Sequence, residues 1–578
     1  MKDLVTVEVV RNQLLAAAEE IGIILVRTAY SPNIKERRDS SAAILAPDGS
    51  VIAQASHIPI HLSSMMELGP ELTRYYPSES LRPGDMFIAN DPYVGAGSHL
   101  NDVAVIAPVF VAGELVAFVA NTAHHADIGG RVPGSESGDS RTIFQDGLRI
   151  PVARILHRGR LDDGLFRTIL LNSRTPEERV GDLRAQFAAN RAGTRRIEEI
   201  ARRYGSEALA QCMDAIVDYT ERRIREGIRS VPSGTYTASG YTDDNGLEPQ
   251  SVAVRLAVHV RDNEMLFDFS GTDPQIPGAK NVPLVSLLAT VYYVVRAVID
   301  PDIPSNTGLY RAIAVRAPRG SVLNPVPPAA VAARFTTCQK VADVILTALA
   351  AAVPDRVVAH CHGGTLAIYS GTDARTGELF VDYEVYAGGS GARFNKDGAD
   401  GVANHTTNTS NLPIECLEQE FPLLVERYEL RPDSGGPGRC RGGLGVIREV
   451  RGLDRELTVG GWGCDQRVPP RGLATGRDGA PGSFEFHSHG SSAPEIARST
   501  VAGARLPAGG RLRIATSGGG GFGNPLDREP GHVLRDVLEG KITPVHARSA
   551  YGVVTRGQAV DLVATERLRR HLREGSHV

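Results

Sequence analysis

The chain is poor in cysteine. Six are scattered through 578 residues, at positions 212, 338, 361, 416, 440 and 464, and none stands in a Cys-x-x-Cys pair. That spacing excludes a thiolate zinc cage and a disulfide framework, and it fits a reducing, cytoplasmic compartment. Long apolar runs are also missing: no stretch of about 18 such residues occurs, so no membrane span is expected. The amino terminus, MKDLVTVEVVRNQLL, has early acids and no apolar core with a cleavage site, which argues against a signal peptide. No basic block stands out and the formal charge is −4, so nucleic-acid binding through phosphate neutralisation is not expected.

Phosphate-binding loops are absent too. Gly518, Gly520 and Gly523 satisfy G-x-G-x-x-G, but Asn524-Pro525 follow and no helix opens there to receive a pyrophosphate. Gly540-Lys541 is followed by Ile542 instead of Ser or Thr. GGSGA at 388–392 falls short of a full motif and reads as a turn that lets backbone approach a ligand.

Glycine is what the chain has in excess. Its 62 copies call for many tight turns and close backbone approaches, which suits a β-rich fold. The class read from the pattern is α+β: a β-rich multidomain body of mixed sheets with a helical insert and a glycine-rich all-β C-terminal region. Residues 1–175 form an N-terminal α+β domain, 176–232 a helical segment broken at Tyr204-Gly205, and 233–424 a central α+β domain. Residues 425–530 form a glycine-rich β region of sandwich or barrel type, and 531–578 a docking tail. Within the first helix of the insert Asp182, Gln186 and Asn190 recur every four residues and share one face.

The chemistry-bearing stretch runs from Asn90 to Ile150. Val103–Phe110 and Glu114–Ala120 are apolar and β-branched, and Val111-Ala112-Gly113 reads as their hairpin link. Folding about that link faces positions near 100–102 with positions near 122–124. His99, Asp102 and His124 thereby meet at one end of a two-stranded ribbon, a nitrogen and oxygen set that suits Zn, Mn or Fe. His125 and Asp127 follow directly, as partners that orient an imidazole or as a general base. Two other histidine pairs read as structural. His57 and His61 flank Pro59, which breaks a regular helix, and His360 and His362 have no third partner.

With those residues in view the chain resembles the hydantoinase B family. That family comprises the B subunits of ATP-dependent hydantoinases, the C-terminal half of 5-oxoprolinase, caprolactamase subunits and the large subunits of acetone and acetophenone carboxylases. The signposts are SPNIKERRDSSAAI at 31–44, NDPYVGAGSHLNDV at 90–103, HHADIGGRVPGS at 124–135, FDFSGTDPQIPGAKN at 267–281, LPIECLEQEFP at 412–422 and SGGGGFGNP at 517–525. The resemblance implies a divalent metal held by His99, Asp102 and His124, with Asp39 as the fourth ligand. It also implies a hydantoinase A-type partner that carries the ATP site, in a hetero-oligomer with more than one copy of each chain. The implied chemistry is ATP-driven opening of a cyclic amide such as a hydantoin, 5-oxoproline or a lactam. Carboxylation of a ketone is the alternative, and a non-catalytic assembly role with a structural metal is a second.

Overall fold

The computed structural model describes residues 3–453, 455–488 and 494–574. The ends of the chain, including the last four residues of the tail, and six positions of the glycine-rich region lie outside the described residues.

The molecule is built on a seven-stranded sheet. Its strands are β1 (Ser40–Leu45), β2 (Val51–Gln54), β3 (Met86–Ala89), β4 (Asp102–Val111), β5 (Glu114–His124), β6 (Ala153–His157) and β7 (Arg160–Leu161), in the order β2-β1-β5-β4-β3-β6-β7. All neighbours run antiparallel. The hairpin link turns with Ala112 at φ 50° and Gly113 at φ 87°, the left-handed pair that a two-residue connection needs.

β4 is buried from Asp102 to Val109, which explains why it reads as a continuous apolar run. Val103, Val105 and Val109 face the core beneath the N-terminal helix (Leu4–Thr28) and the long helix Pro176–Tyr204. Ala104 and Ile106 face the other way, against Leu68 and Leu72 of helix Leu62–Tyr75.

The polar face of Pro176–Tyr204 has a definite use. Gln186 Nε2 donates to the Val103 carbonyl at 2.8 Å, and Asn190 Nδ2 donates to the Val105 carbonyl at 2.9 Å. Asn121 Nδ2 donates to Asn190 Oδ1 at 2.8 Å, while Asp182 Oδ1 accepts the Tyr30 and Ser31 amides at 2.9 and 3.0 Å. A helix is thus fastened to a sheet by polar side chains inside an apolar layer. Asn190→Leu removes two of these bonds and is expected to cost about 2 kcal/mol; urea denaturation measures it.

The second sheet joins Gly234–Tyr241, Ala253–Arg261 and Glu264–Asp268, with Ile313–Arg316 added in parallel, and helices Leu284–Ile299 and Arg334–Leu349 share its core. Two further sheets face each other across Tyr369, Val459, Phe484 and Leu512. This is a sandwich arrangement with no closed barrel among the described residues. Strand Thr365–Thr372 pairs with Leu457–Gly463, so one of these sheets crosses the 424/425 boundary suggested by the change in texture.

The glycine runs pack backbone on backbone. A Cβ on Gly391 would stand 1.8 Å from the Ala359 carbonyl oxygen, and one on Gly519 would stand 2.0 Å from that of Ser390. GGSGA is thus a turn that lets backbone approach backbone, with Gly389 against Gly443 and Gly391 against Ala359.

Candidate metal centre

Three strand ends meet at one place. Asp102 opens β4 directly opposite His124, which ends β5, and the His124 amide donates to the Asp39 carbonyl at 2.9 Å, just ahead of β1. The order β1-β5-β4 puts His124 between the two aspartates. His99 comes from the loop before β4, where Gly97 is obligatory: a Cβ there would lie 2.8 Å from the Asp102 carbonyl oxygen.

His99, Asp102 and His124 are buried and offer ligand atoms that all lie within 4.8 Å of one another. Both ring nitrogens of His99, Nε2 of His124 and Oδ1 of Asp102 are shut off from solvent and make no hydrogen bond. Buried polar atoms are ordinarily paired, so one nitrogen from each ring and Asp102 Oδ1, three ligand atoms brought together, ask for a common partner. The other sides of these groups are held. The Asn33 side-chain amide sits 2.8 Å from His124 Nδ1 and donates to the His124 carbonyl at 2.7 Å. Asp102 Oδ2 accepts from Ser98 and from Arg334.

Around this trio the structure adds residues that the spacing did not reveal. His61 Nε2 lies 3.2 Å from Asp102 Oδ1 and 3.9 Å from Asp39 Oδ1, while its Nδ1 is 3.0 Å from Ser41 Oγ. Pro59 does not keep His61 away from the cluster, because Pro59–His61 is a single 3-10 turn that delivers the imidazole at the start of helix Leu62–Tyr75. Glu136 accepts from the Tyr383 hydroxyl and from Trp462 Nε1, and Arg334 stands 3.7 Å from it. The Tyr383 ring packs on His124, with centroids 4.8 Å apart. Asp39, His61, Asp102, His124, Glu136 and Arg334 line a cavity of about 30 Å3, room for a solvent-sized group.

Three carboxylates, Asp39, Asp102 and Glu136, face Arg334 and His61 across this cavity. Burial pushes the Asp39 carboxyl up to about 7, and the nearby Asp102 charge adds to this. Burial would also raise Asp102, but His99 and His61 outweigh it and hold it well below the usual carboxylate range. Burial together with His99 keeps the pKa of His124 well below its usual value, so the ring is neutral, the form that binds metal. The donor set fits a divalent cation.

His125 and Asp127 are drawn elsewhere. The backbone alternates past His124, so His125 Nε2 meets Gln186 Oε1 at 3.0 Å. Asp127 accepts from Arg174 Nη1 at 2.9 Å and from the amides of Gly134, Arg174 and Gly129. Neither lines the cavity. His360 and His362 are buried against Thr347 Oγ1 at 2.8 Å and Ser517 Oγ at 2.7 Å.

A model of the hydantoinase B/oxoprolinase family matches residues 3–525. The chain is 33% identical over 590 residues to the B-type component of a putative D-/L-hydantoinase of Pseudomonas sp. (strain NS671), covering 98% of each. The crystal structure of an ATP-dependent caprolactamase from Pseudomonas jessenii aligns with a TM-score of 0.90 at 30% identity, over 99% of this chain and 100% of that one. The nucleotide-free structure of acetone carboxylase aligns with a TM-score of 0.91 over 98% of this chain and 83% of that one, at 20% identity, a likeness of fold.

Proposed function

Because the chain belongs to the hydantoinase B/oxoprolinase family, we propose that it is the B-type component of an ATP-dependent cyclic amidohydrolase. Its metal-assisted step takes place at His99, Asp102, His124 and Asp39. The observation that carries this reading is the gathering of one ligand atom each from His99, Asp102 and His124, all buried and all within 4.8 Å of one another. Relatives named as a putative hydantoinase component and an ATP-dependent caprolactamase, aligned over nearly the whole chain, supply the substrate class. ATP is bound by a hydantoinase A-type partner, in a cytoplasmic hetero-oligomer with more than one copy of each chain.

An unstrained cyclic amide is a poor electrophile, which is why ring opening is coupled to ATP. A divalent ion held by these ligands supplies Lewis-acid polarisation of a carbonyl oxygen and acidifies water. The chain's own groups do the rest. Asn33 fixes the His124 ring, Ser98 and Arg334 fix Asp102, and the Arg334 guanidinium faces the cavity as a partner for negative charge that develops on the substrate. His61, between Asp39 and Asp102, is placed to hold a proton at Nε2. Burial opposes charge on that ring, but the two carboxylates outweigh it and raise its pKa above the ordinary value.

The test is reconstitution with the A-type partner on hydantoin, 5-oxoproline and caprolactam. Expected are about one divalent ion per chain and ring opening that requires both ATP and the metal. Bicarbonate-dependent consumption of acetone or acetophenone in place of ring opening would transfer the assignment to the carboxylases. Full activity after complete chelation would reject the metal step.

A further inference from the structure

Three nitrogens far from the cluster share the condition that marks it. Arg11 Nε, His57 Nδ1 and Arg296 Nε are each shut off from solvent without a hydrogen-bond partner, and all three side chains line one cavity. It measures about 380 Å3 and opens where the N-terminal helix, the turn after β2 and the end of helix Leu284–Ile299 come together. Leu15, Ile52, Ile216 and Ile303 make the wall apolar. The size falls in the range of small-ligand pockets, and a few polar groups on an apolar wall are their usual lining.

The local charges are uneven. Among the described residues no carboxylate pairs with Arg296, although it stands in the last turn of its helix. Arg11 reaches Glu8 with Nη2 only, which leaves Nε unused. Glu19 lies 3.9 Å from His57 Nε2, on the side opposite the free Nδ1, and Asp302 is an exposed acid on the cavity wall. Gly22 gives His57 its place: a Cβ there would stand 2.1 Å from the ring's Cε1.

We propose that this cavity binds a small carboxylate with an apolar body, its carboxylate received by Arg296 and Arg11 and accepting a hydrogen bond from a ring N–H of His57. A planar carboxylate is the anion a guanidinium fork fits, and among the described residues Arg296 has no carboxylate of the chain to receive. The apolar wall selects against a bare inorganic anion. This site is separate from the metal-centre reading and does not rest on it. The two cavities are lined by one short segment: His57 and Pro59 line this one, while Ile58, Ile60 and His61 line the other.

The experiment is isothermal titration of the full-length chain, freed of divalent metal by chelation, with hexanoate, hexanamide and inorganic phosphate. Hexanoate is expected to bind, and its neutral isostere at least about tenfold more weakly, the difference a charge-assisted bond makes. Arg296→Met should weaken hexanoate by a similar factor. Ala297→Trp, on an exposed position of the cavity rim, should abolish binding by filling the space. Equal affinity for acid and amide, unchanged affinity in Arg296→Met, phosphate binding as tightly as hexanoate, or no hexanoate binding at several millimolar would each overturn the proposal.

Discussion

Replacing His124 by alanine is expected to lower ring opening by the reconstituted complex by more than about a hundredfold while the complex stays assembled. Loss of a partner that only orients a ligand typically costs 10- to 100-fold in metal affinity or activity, so loss of a ligand should exceed that. The substitution removes one of the three gathered ligand atoms and leaves His99 and Asp102 without the arrangement that a cation needs. The hairpin itself should survive. His124 is the last residue of β5, and its backbone bond to Asp39 does not involve the side chain.

A comparison with the next residue sharpens this. His125→Ala deletes an imidazole whose Nε2 faces Gln186, so it should destabilise the chain without emptying the metal site. Metal content by mass spectrometry separates the two variants: His124→Ala should lose its ion and His125→Ala should keep it. Retention of both ion and turnover in His124→Ala would sink the assignment. Loss of turnover with a full complement of metal would make His124 a substrate contact instead of a ligand.

What could be read from the chain, and what could not, divides along physical lines. The hairpin is legible because its apolar runs are long and its link is short, but counting from that link alone sets Asp102 against Ala123. An irregularity at Val109/Phe110, which no pattern announces, moves the register by one so that Asp102 faces His124. The break at Tyr204-Gly205 is legible because Gly205 has the left-handed φ of 85° that closes one helix before the next. His61 escapes such a reading because a proline between two histidines argues for separating them, whereas a 3-10 turn starting at Pro59 is what aims the second one. The orientation of His125 follows from alternation along an extended backbone, a rule that still holds one residue past the end of the strand. Arg334, Glu136 and Tyr383 arrive from remote segments with no local signature. Only the tertiary arrangement of the sheets, which sequence periodicity does not determine, brings them to the same cavity.

Arg37→Met is expected to destabilise the chain by about 3–5 kcal/mol, the usual cost of leaving a buried charge network without its cation. Arg37 is 3% exposed. Its Nη2 donates to Asp382 Oδ1 at 2.6 Å and to Glu384 Oε1 at 2.8 Å, and its Nη1 donates to Asn33 Oδ1 at 3.3 Å. Glu384 keeps a second cation, Arg448 at 3.0 Å, but among the described residues Asp382 has no other ion pair. Burial already pushes Asp382 up to about 6, with Arg37 pulling the other way.

The sign of the pH effect follows. A carboxyl whose folded pKa is raised holds a proton that the unfolded chain releases, so stability is highest below the ordinary carboxylate pKa and falls as pH rises through the raised one. Without Arg37 that pKa climbs further. The penalty should therefore be smaller at pH 5 than at pH 8, by up to about 2.7 kcal/mol for this one carboxyl, as read by urea denaturation at both values. The same substitution frees Asn33 from one of its anchors, and Asn33 is what steadies the His124 ring. Metal affinity should therefore fall in the folded variant as well, by about 10- to 100-fold, and this can be measured at pH 5, where the fold is least affected. A variant as stable as the parent at pH 8 would show that solvent or rearrangement replaces the guanidinium, and the coupling between this network and the metal centre would then fail with it.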